Sequence, residues 1–299
     1  MSGRLRGSDV RRRIAALDPV RDADEVARLS LVTLHGHGAL VYALFTVAFM
    51  KQVAVPAMAR TLYRRGTGDI VRETLRRNDD TIVFFGQLLD HGPESEVGRA
   101  WIERLNAIHA HFPLRDEDSL YTLATLALDP DAITAALGPS MFTEAELEAQ
   151  WRFWRAVARL QRVADLPAER ATLAAWAADY ERREYAPTED GRAIAVALVD
   201  GFAERCLPRP LRRWGPRVVS ALCPPGLRQV HDLPDPGPLL SAGVRAALAL
   251  YRVSLPWRRV PADRSLAHDF GEARYGPRPL EAVGYQRPSC AADGSSGLC

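Results

Sequence analysis

The chain has 299 residues, 47% of them hydrophobic, which is enough to bury a full core as one large helical domain or two small ones. Its 39 basic and 37 acidic residues leave a net charge of +2, and Lys51 is the sole lysine. We take the arginines to be balanced by neighbouring acidic residues, which argues against a nucleic-acid partner. Four cysteines without C-x-x-C or zinc-type spacing predict free thiols in a cytoplasmic protein.

The N-terminal residues 1–28 are predicted to form a basic arm, and no secretory signal follows them. Residues 29–50 lack Asp, Glu, Lys and Arg, but the sequence His35-Gly36-His37-Gly38 divides this stretch and leaves only residues 39–50 as a continuous apolar run. We therefore expect a buried core helix and no integral membrane span, while a peripheral membrane contact stays open. The two histidines could ligate a metal, although the glycines favour a turn.

A helix is predicted from about Asp69 to Asp90, and polar residues interrupt its apolar face. At about 100° per residue, the residues within about 60° of Arg77 include Ile70, Thr74, Thr81, Phe84 and Leu88, and Asp80 lies at the edge of this face. An arginine buried without a counter-charge is strongly unfavourable. Two interpretations stand: Arg77 pairs internally with Asp80, or Arg77 and Thr81 face a bound anionic group.

The next helix is predicted from about Val97 to Phe112, after the break at His91-Gly92-Pro93. His109 falls in its apolar stripe, whereas His111 points about 160° away. A neutral imidazole with one open nitrogen in an apolar wall suits a metal or a haem iron. The alternative is a core histidine that is hydrogen-bonded to a carbonyl.

The rest of the chain also favours helices, because Ala, Leu, Arg and Glu dominate and no strand-length alternation stands out. Thr143 and Glu146 form a capping box at the start of one helix. Further helices are predicted at about 167–185, from about 190 to just before Pro208, and at 239–255. We expect residues 29–260 to form the helical catalytic domain and residues 261–299 to form a largely flexible C-terminal extension.

The sequence lacks the motifs of two helical enzyme classes. A terpene synthase needs a D-D-x-x-D sequence, but Val83 stands where the third aspartate would follow Asp79-Asp80. A ferritin-like di-iron protein needs Glu-x-x-His pairs, and none of the seven histidines has a glutamate three residues before it. A non-catalytic haem-binding or scaffold protein stays open.

Several short motifs follow one another in a distinctive order. They are RNDDT at 77–81, Ile108-His109, Phe112-Pro113-Leu114 and EDSLYTL at 117–123. Three longer stretches accompany them, KQVAVPAMARTLYRRGTGD at 51–69, FTEAELEAQWRFW at 142–154 and AWAADYERREYAPTEDGRAIAVAL at 175–198. The order and spacing of these motifs resemble the MpaB and rubber oxygenase (latex-clearing protein) family, most closely its fungal MpaB branch.

This resemblance implies an all-α, single-domain fold that encloses one b-type haem, with His109 as the axial ligand of the iron. Arg77 and Thr81 match the polar pair near the haem, where they would anchor it or polarise bound oxygen. Asp80, which stands where the rubber-cleaving branch has lysine, is the nearest candidate for a general base, and this departure argues against rubber as the substrate. The implied reaction uses O2 to cleave a C=C bond in a hydrophobic prenylated, isoprenoid or polyene molecule of secondary metabolism.

Overall fold

The structure, a computed structural model, describes residues 3–286, and helices form most of it. The predicted all-α, single-domain fold is confirmed. The α-helices are α1 (Gly7–Ala15), α2 (Ala23–Arg28), α3 (Gly38–Val53), α4 (Pro56–Tyr63), α5 (Asp69–Arg72), α6 (Thr74–His91), α7 (Glu96–His109), α8 (Asp116–Ala135), α9 (Glu144–Leu160), α10 (Arg170–Glu184), α11 (Glu189–Cys206), α12 (Gly215–Leu222), α13 (Pro225–Val230), α14 (Pro238–Ser254) and α15 (Ala273–Tyr275). Short π-helices cover Leu29–Leu34 and His268–Glu272, and 3-10 turns cover Arg64–Gly66, Arg209–Trp214, Leu255–Trp257 and Leu280–Ala282.

Helix α3 lies at the centre of the fold and contacts α4, α8, α11 and α12. It is apolar around most of its circumference because neighbouring helices cover several of its faces. A turn at His35–His37 separates it from the preceding π-helix. Most of the residues from Tyr42 to Val53 are buried, so the predicted buried core helix is confirmed. Within residues 3–286 no single helix has the length and apolarity to cross a bilayer; Ala23–Leu34 and Gly38–Val53 reach that length only together, with a bend of 110° between them.

Local signals at the helix ends agree with the structure. The capping box is confirmed, because the Thr143 N–H donates to Glu146 Oε2 at 2.8 Å and the Glu146 N–H donates to Thr143 Oγ1 at 3.3 Å. Helix α6 ends at His91, before Gly92 with its φ of +79°. The single helix predicted at 69–90 is instead interrupted at Glu73, whose φ of −131° separates α5 from α6.

The N-terminal residues, predicted to form an arm, are packed on the fold. Strand β1 (Arg4–Arg6) pairs antiparallel with β2 (Arg259–Pro261), with Leu5 opposite Val260. Val10, Ile14 and Val26 from α1 and α2 join the same buried cluster as Val260. The sequence did not predict this sheet, because three-residue strands are too short to show an alternating pattern.

The described part of the C-terminal extension is also packed, in contrast to the flexible extension predicted from the sequence. We call residues 275–286 the C-terminal strap, which crosses α6 and α7. Contacts with side chains about 200 positions earlier hold it, and no local pattern could have indicated them. Cys206 and Cys223 are free thiols, whereas Cys290, Cys299 and the rest of residues 287–299 lie outside the described residues.

Candidate active site

A cavity of about 570 Å³ lies between α3, α6, α7, α8 and the C-terminal strap. This volume is within the usual range for small-molecule and cofactor sites, about 300–1,000 Å³. Its wall combines apolar and aromatic side chains, which form the larger part of the lining, with many polar and charged ones. The apolar wall includes Phe45, Phe49, Met58, Phe84, Phe85, Leu105, Ile108, Phe112 and Leu126, and the polar groups include Arg77, Thr81, His109 and Asp118.

His109, the last residue of α7, is part of this wall, as its place in the apolar stripe predicted. Burial, together with the nearby positive charge of Arg77, lowers the pKa of His109 to about 4, so its imidazole is neutral at pH 7. Within residues 3–286 no hydrogen bond of the structure involves the His109 ring. His111 instead points outward, and its Nδ1 lies 2.7 Å from the Ala107 carbonyl oxygen. The structure therefore gives His109 no bond to a carbonyl, and His111, which has one, is exposed and is not a core histidine.

Arg77 and Thr81 lie one helical turn apart on α6 and both line the cavity. The Arg77 guanidinium donates to Thr81 Oγ1, and the Thr81 hydroxyl donates to the Arg77 carbonyl at 2.9 Å. Burial lowers the pKa of Arg77, while the charges of Asp80 and Asp69 oppose that shift. No carboxylate in the described part of the chain lies within 4.0 Å of this guanidinium. Arg77 thus lies in the cavity wall without a direct ion pair, and the charges of Asp80 and Asp69 act on it only at longer range.

Asp80 does not form the internal ion pair with Arg77 that its i+3 spacing allowed. Its Oδ1 accepts from the Arg278 guanidinium at 2.6 Å, and its Oδ2 accepts from the Gly284 N–H at 3.0 Å. The neighbouring Asp79 accepts from Arg205 and from the Tyr275 hydroxyl. Both aspartates therefore bind side chains or backbone from later in the chain. Asp80 pairs with Arg278 because the strap brings that guanidinium within hydrogen-bonding distance, whereas the Arg77 guanidinium donates to Thr81.

The strap contributes two residues to the cavity wall that sequence reasoning missed, Gly284 and Tyr285. A Cβ on Gly284, whose φ is +80°, would lie 3.0 Å from both Ile108 Cδ1 and Phe84 Cε2, so this position requires glycine. The Tyr285 ring packs against Phe112 with 5.1 Å between ring centroids. In the sequence this stretch is rich in Gly and Pro, which is typical of a flexible tail.

Arg104 on α7 forms a second set of contacts with the strap. Its guanidinium donates to three strap carbonyls, at 3.0 Å for Glu281, 3.4 Å for Val283 and 3.0 Å for Tyr285. Multiple bonds from one planar guanidinium hold a backbone segment in a defined position. Tyr285 is therefore a fixed part of the cavity wall.

Several other residues of the quoted motifs serve packing. The Tyr121 side chain is fully buried on α8, and its hydroxyl lies 2.9 Å from Glu181 Oε1 and 2.5 Å from the Tyr185 hydroxyl. Trp151 and Trp154 on α9 are buried in the core. Asp118 does line the cavity, but it is bound by Arg115 at 2.7 Å and by the Tyr180 hydroxyl.

The side chains that commonly bind metal ions are not clustered in residues 3–286. No group of three or more His, Cys, Asp or Glu side chains in that range is arranged to hold a metal ion. His35 is buried next to Phe142, with ring centroids 5.1 Å apart, and His37 is at the start of α3. A metal at His109 would therefore need most of its ligands from a prosthetic group.

The chain is similar to known proteins over most of its length. Residues 32–254 match the family described as "ER-bound oxygenase mpaB/B'/Rubber oxygenase, catalytic domain". The chain is 23% identical over 241 residues to ER-bound oxygenase mpaB' of Penicillium brevicompactum, an alignment that covers 74% of this chain and 56% of that protein. ER-bound oxygenase mpaB of the same species is 21% identical over 191 residues, covering 58% and 48%. ER-bound oxygenase mpaB of Penicillium roqueforti (strain FM164) is 24% identical over 114 residues, covering 37% and 38%.

The chain thus spans about half the length of the relatives that it matches, or less. The family match covers most of the chain, including α6, α7 and every residue assigned to the cavity except those of the strap. The chain therefore belongs to the family of the mpaB-type and rubber oxygenases.

Proposed function

We propose that this chain is an oxygenase that binds one b-type haem in the cavity, with His109 as the axial ligand of the iron. One observation carries the proposal: a neutral imidazole without a hydrogen bond and a guanidinium without a direct ion pair line the same cavity. A haem presents an iron that needs a nitrogen ligand and propionates that need a positive charge. The residues present therefore fit that group.

The protein side chains have separate roles in this proposal. His109 holds the iron through a ring nitrogen, and Arg77 and Thr81 bind the anionic edge of the cofactor or polarise the oxygen substrate. A haem held by one histidine supplies an iron centre that activates O2. The phenylalanines at positions 45, 49, 84 and 112 exclude water from the reacting region and hold an apolar substrate.

The substrate class that we propose is a prenylated, isoprenoid or polyene small molecule from secondary metabolism. The proposed reaction cleaves one C=C bond with O2, and each carbon of that bond leaves as a carbonyl that carries one oxygen atom from O2. This reaction balances without an external reductant. The apolar lining of the cavity supports the substrate class, and the family match supports an oxygenase.

We do not assign Asp80 as the general base. Both of its carboxylate oxygens accept hydrogen bonds from the strap, and it lies outside the cavity wall. We propose instead that Asp80 anchors the strap and so shapes the site without touching substrate.

The test is an absorption spectrum with a pyridine haemochrome assay on the wild-type protein and on the variants His109→Ala and His111→Ala. We expect near one b-type haem per chain in the wild type and in His111→Ala, and loss of the Soret band in His109→Ala with unchanged helical content. The matched control is apt because His111 lies two residues away and points outward. A wild-type protein that takes up no added haemin would refute the proposal.

Haem binding alone does not prove oxygenase activity, so a second assay follows. Under isotopically labelled O2, a polyene or prenylated substrate should yield two carbonyl products that each carry label. Stable haem binding without turnover of any such substrate would instead favour the non-catalytic haem-binding protein.

A further inference from the structure

Helix α14 presents an apolar face to solvent. Leu239, Leu250 and Val253 are 89%, 69% and 63% exposed, and no residue of the helix is buried. At about 100° per residue, Leu250 and Val253 lie within about 40° of Leu239 around the helix axis, so the three form one stripe. Trp257, in the 3-10 turn that follows, is 71% exposed. Exposed apolar stretches of this kind mark interaction surfaces.

The opposite side of α14 is attached to the protein, so the orientation of the stripe is fixed. Leu248 and Tyr251 pack against the buried cluster of Met141, Phe142 and Leu147. The Arg252 guanidinium donates to the Pro139 carbonyl at 2.6 Å. The stripe therefore faces outward because the inner face already has partners.

The sequence around this helix is strongly basic. Residues 207–259 contain nine arginines, two aspartates and no lysine or glutamate, hence a charge of +7, which leaves −5 on the rest of a chain whose net charge is +2. This corrects the expectation that acidic residues balance the arginines locally. Within the described part of the chain, no salt bridge joins Arg209, Arg213 or Arg245 to a carboxylate.

A second exposed apolar pair lies within the same basic stretch. Leu211 and Trp214 are 48% and 41% exposed, and they flank Arg212 and Arg213 in the 3-10 turn that leads into α12. Helix α12 in turn packs against α14. Six of the ten large hydrophobic residues exposed in the described structure thus belong to residues 207–259.

We infer that α14 and the arginine-rich turn at 209–214 form a docking surface for an anionic lipid bilayer. An apolar stripe with tryptophan beside it and arginines around it is the pattern of a helix that lies in the membrane interface. The arginines attract anionic headgroups, and the leucine, valine and tryptophan side chains insert among the acyl chains.

The charge distribution favours a bilayer over two other partners. A second copy of the chain would bring two segments of +7 together, which is repulsive. A nucleic acid would satisfy the arginines but would leave the apolar stripe in water. Of these three partners, only an anionic lipid surface meets both the charge and the apolar face.

The test is co-sedimentation of the full chain with vesicles of phosphatidylcholine alone and of phosphatidylcholine mixed with phosphatidylserine. We expect binding to the mixed vesicles, weaker binding to the neutral ones, and a decrease at high salt. The variant Leu250→Glu/Val253→Glu should bind at least about tenfold more weakly, because two side chains no longer insert. The matched control is Val20→Glu/Val196→Glu, which places the same charges at valines that are 52% and 54% exposed elsewhere.

Thermal unfolding of both double variants should match the wild type, since all four positions are exposed. The inference is overturned if the wild type binds neither vesicle, if it binds both equally, or if the control pair weakens binding as much as the α14 pair. A dimer that Leu250→Glu/Val253→Glu dissociates, or tight binding to duplex DNA without vesicle binding, would assign the surface to that partner and overturn it as well. None of these assays depends on haem.

Discussion

The carboxylate of Asp80 and the guanidinium of Arg278 lie 2.6 Å apart although 198 positions separate them in the chain. Their side chains are only 6% and 12% exposed. The pair attaches the C-terminal strap to α6 immediately beside Thr81, a residue of the cavity wall. The strap residues Gly284 and Tyr285 complete that wall, so a contact outside the cavity determines the shape of the cavity.

Replacing Asp80 should lower stability. We expect Asp80→Asn to reduce the free energy of unfolding by about 3–5 kcal/mol, because Arg278 would remain buried without its counter-charge. Urea unfolding measures the change. The control Asp179→Asn removes the exposed partner of Arg182 and should alter stability by about 1 kcal/mol or less. An Asp80→Asn protein of wild-type stability that has lost activity would restore Asp80 as the general base.

Replacing Arg77 should weaken cofactor retention. Arg77→Gln removes a charge-assisted contact of about 1.5–3 kcal/mol, so we expect haem to dissociate roughly ten- to a hundredfold faster. Transfer of haem to an excess of an acceptor protein measures this rate. Arg76→Gln is the matched control, since Arg76 is its exposed neighbour on α6. Equal rates for the two variants would show that Arg77 does not contact the cofactor.

Replacing Tyr285 should open the cavity. The ring packs on Phe112 and lies under the Arg64 guanidinium, with 5.1 Å from the Arg64 Cζ to the ring centroid. We expect Tyr285→Ala to bind a small apolar fluorescent probe about tenfold more weakly, because aromatic contact area is lost. Tyr285→Phe keeps the ring and should bind as the wild type does. If Tyr285→Phe fails as Tyr285→Ala does, the hydroxyl matters and not the ring.

Acid should destabilise the haem-free protein through His109. Its pKa is about 4 when folded and about 6.5 when unfolded, so between these values the unfolded chain binds a proton that the folded chain does not. The stability that depends on a neutral His109 is fully present above pH 6.5 and is lost as the pH falls through 4. The loss in the free energy of unfolding is up to about 3 kcal/mol.

The measurement is urea unfolding of haem-free wild type and His109→Ala from neutral to acidic pH. The stability of the wild type should fall more steeply with acid than that of the variant. His35, whose pKa burial lowers to about 3, adds a similar slope to both proteins and cancels in the difference. Parallel curves would mean that His109 is not desolvated in the folded protein.

The features that could be predicted from the sequence are those with a local physical cause. The helical class, the face of α7 that His109 occupies and the capping box at Thr143 each depend on residues within one or two turns of one another. The sequence also indicated that Arg77 and Thr81 lie together, because they are four residues apart on one helix.

Local spacing did not determine which partner Asp80 takes. Arg77 at i−3 and Arg278 on the strap carry the same guanidinium, and either could pair with the Asp80 carboxylate. Asp80 pairs with Arg278 because the strap packs on α6. The strap itself has the composition of a flexible tail, and the bonds that hold it come from Asp79, Asp80 and Arg104, far away in the chain.

The sequence by itself determined the helices and the faces on which the imidazole and guanidinium of the candidate site lie, since 3.6-residue periodicity is a local property. The tertiary structure decided which groups are left without partners, which segment closes the cavity, and which helix face remains in water. Those outcomes depend on contacts between distant segments, and the solvation of a side chain is set by what packs over it.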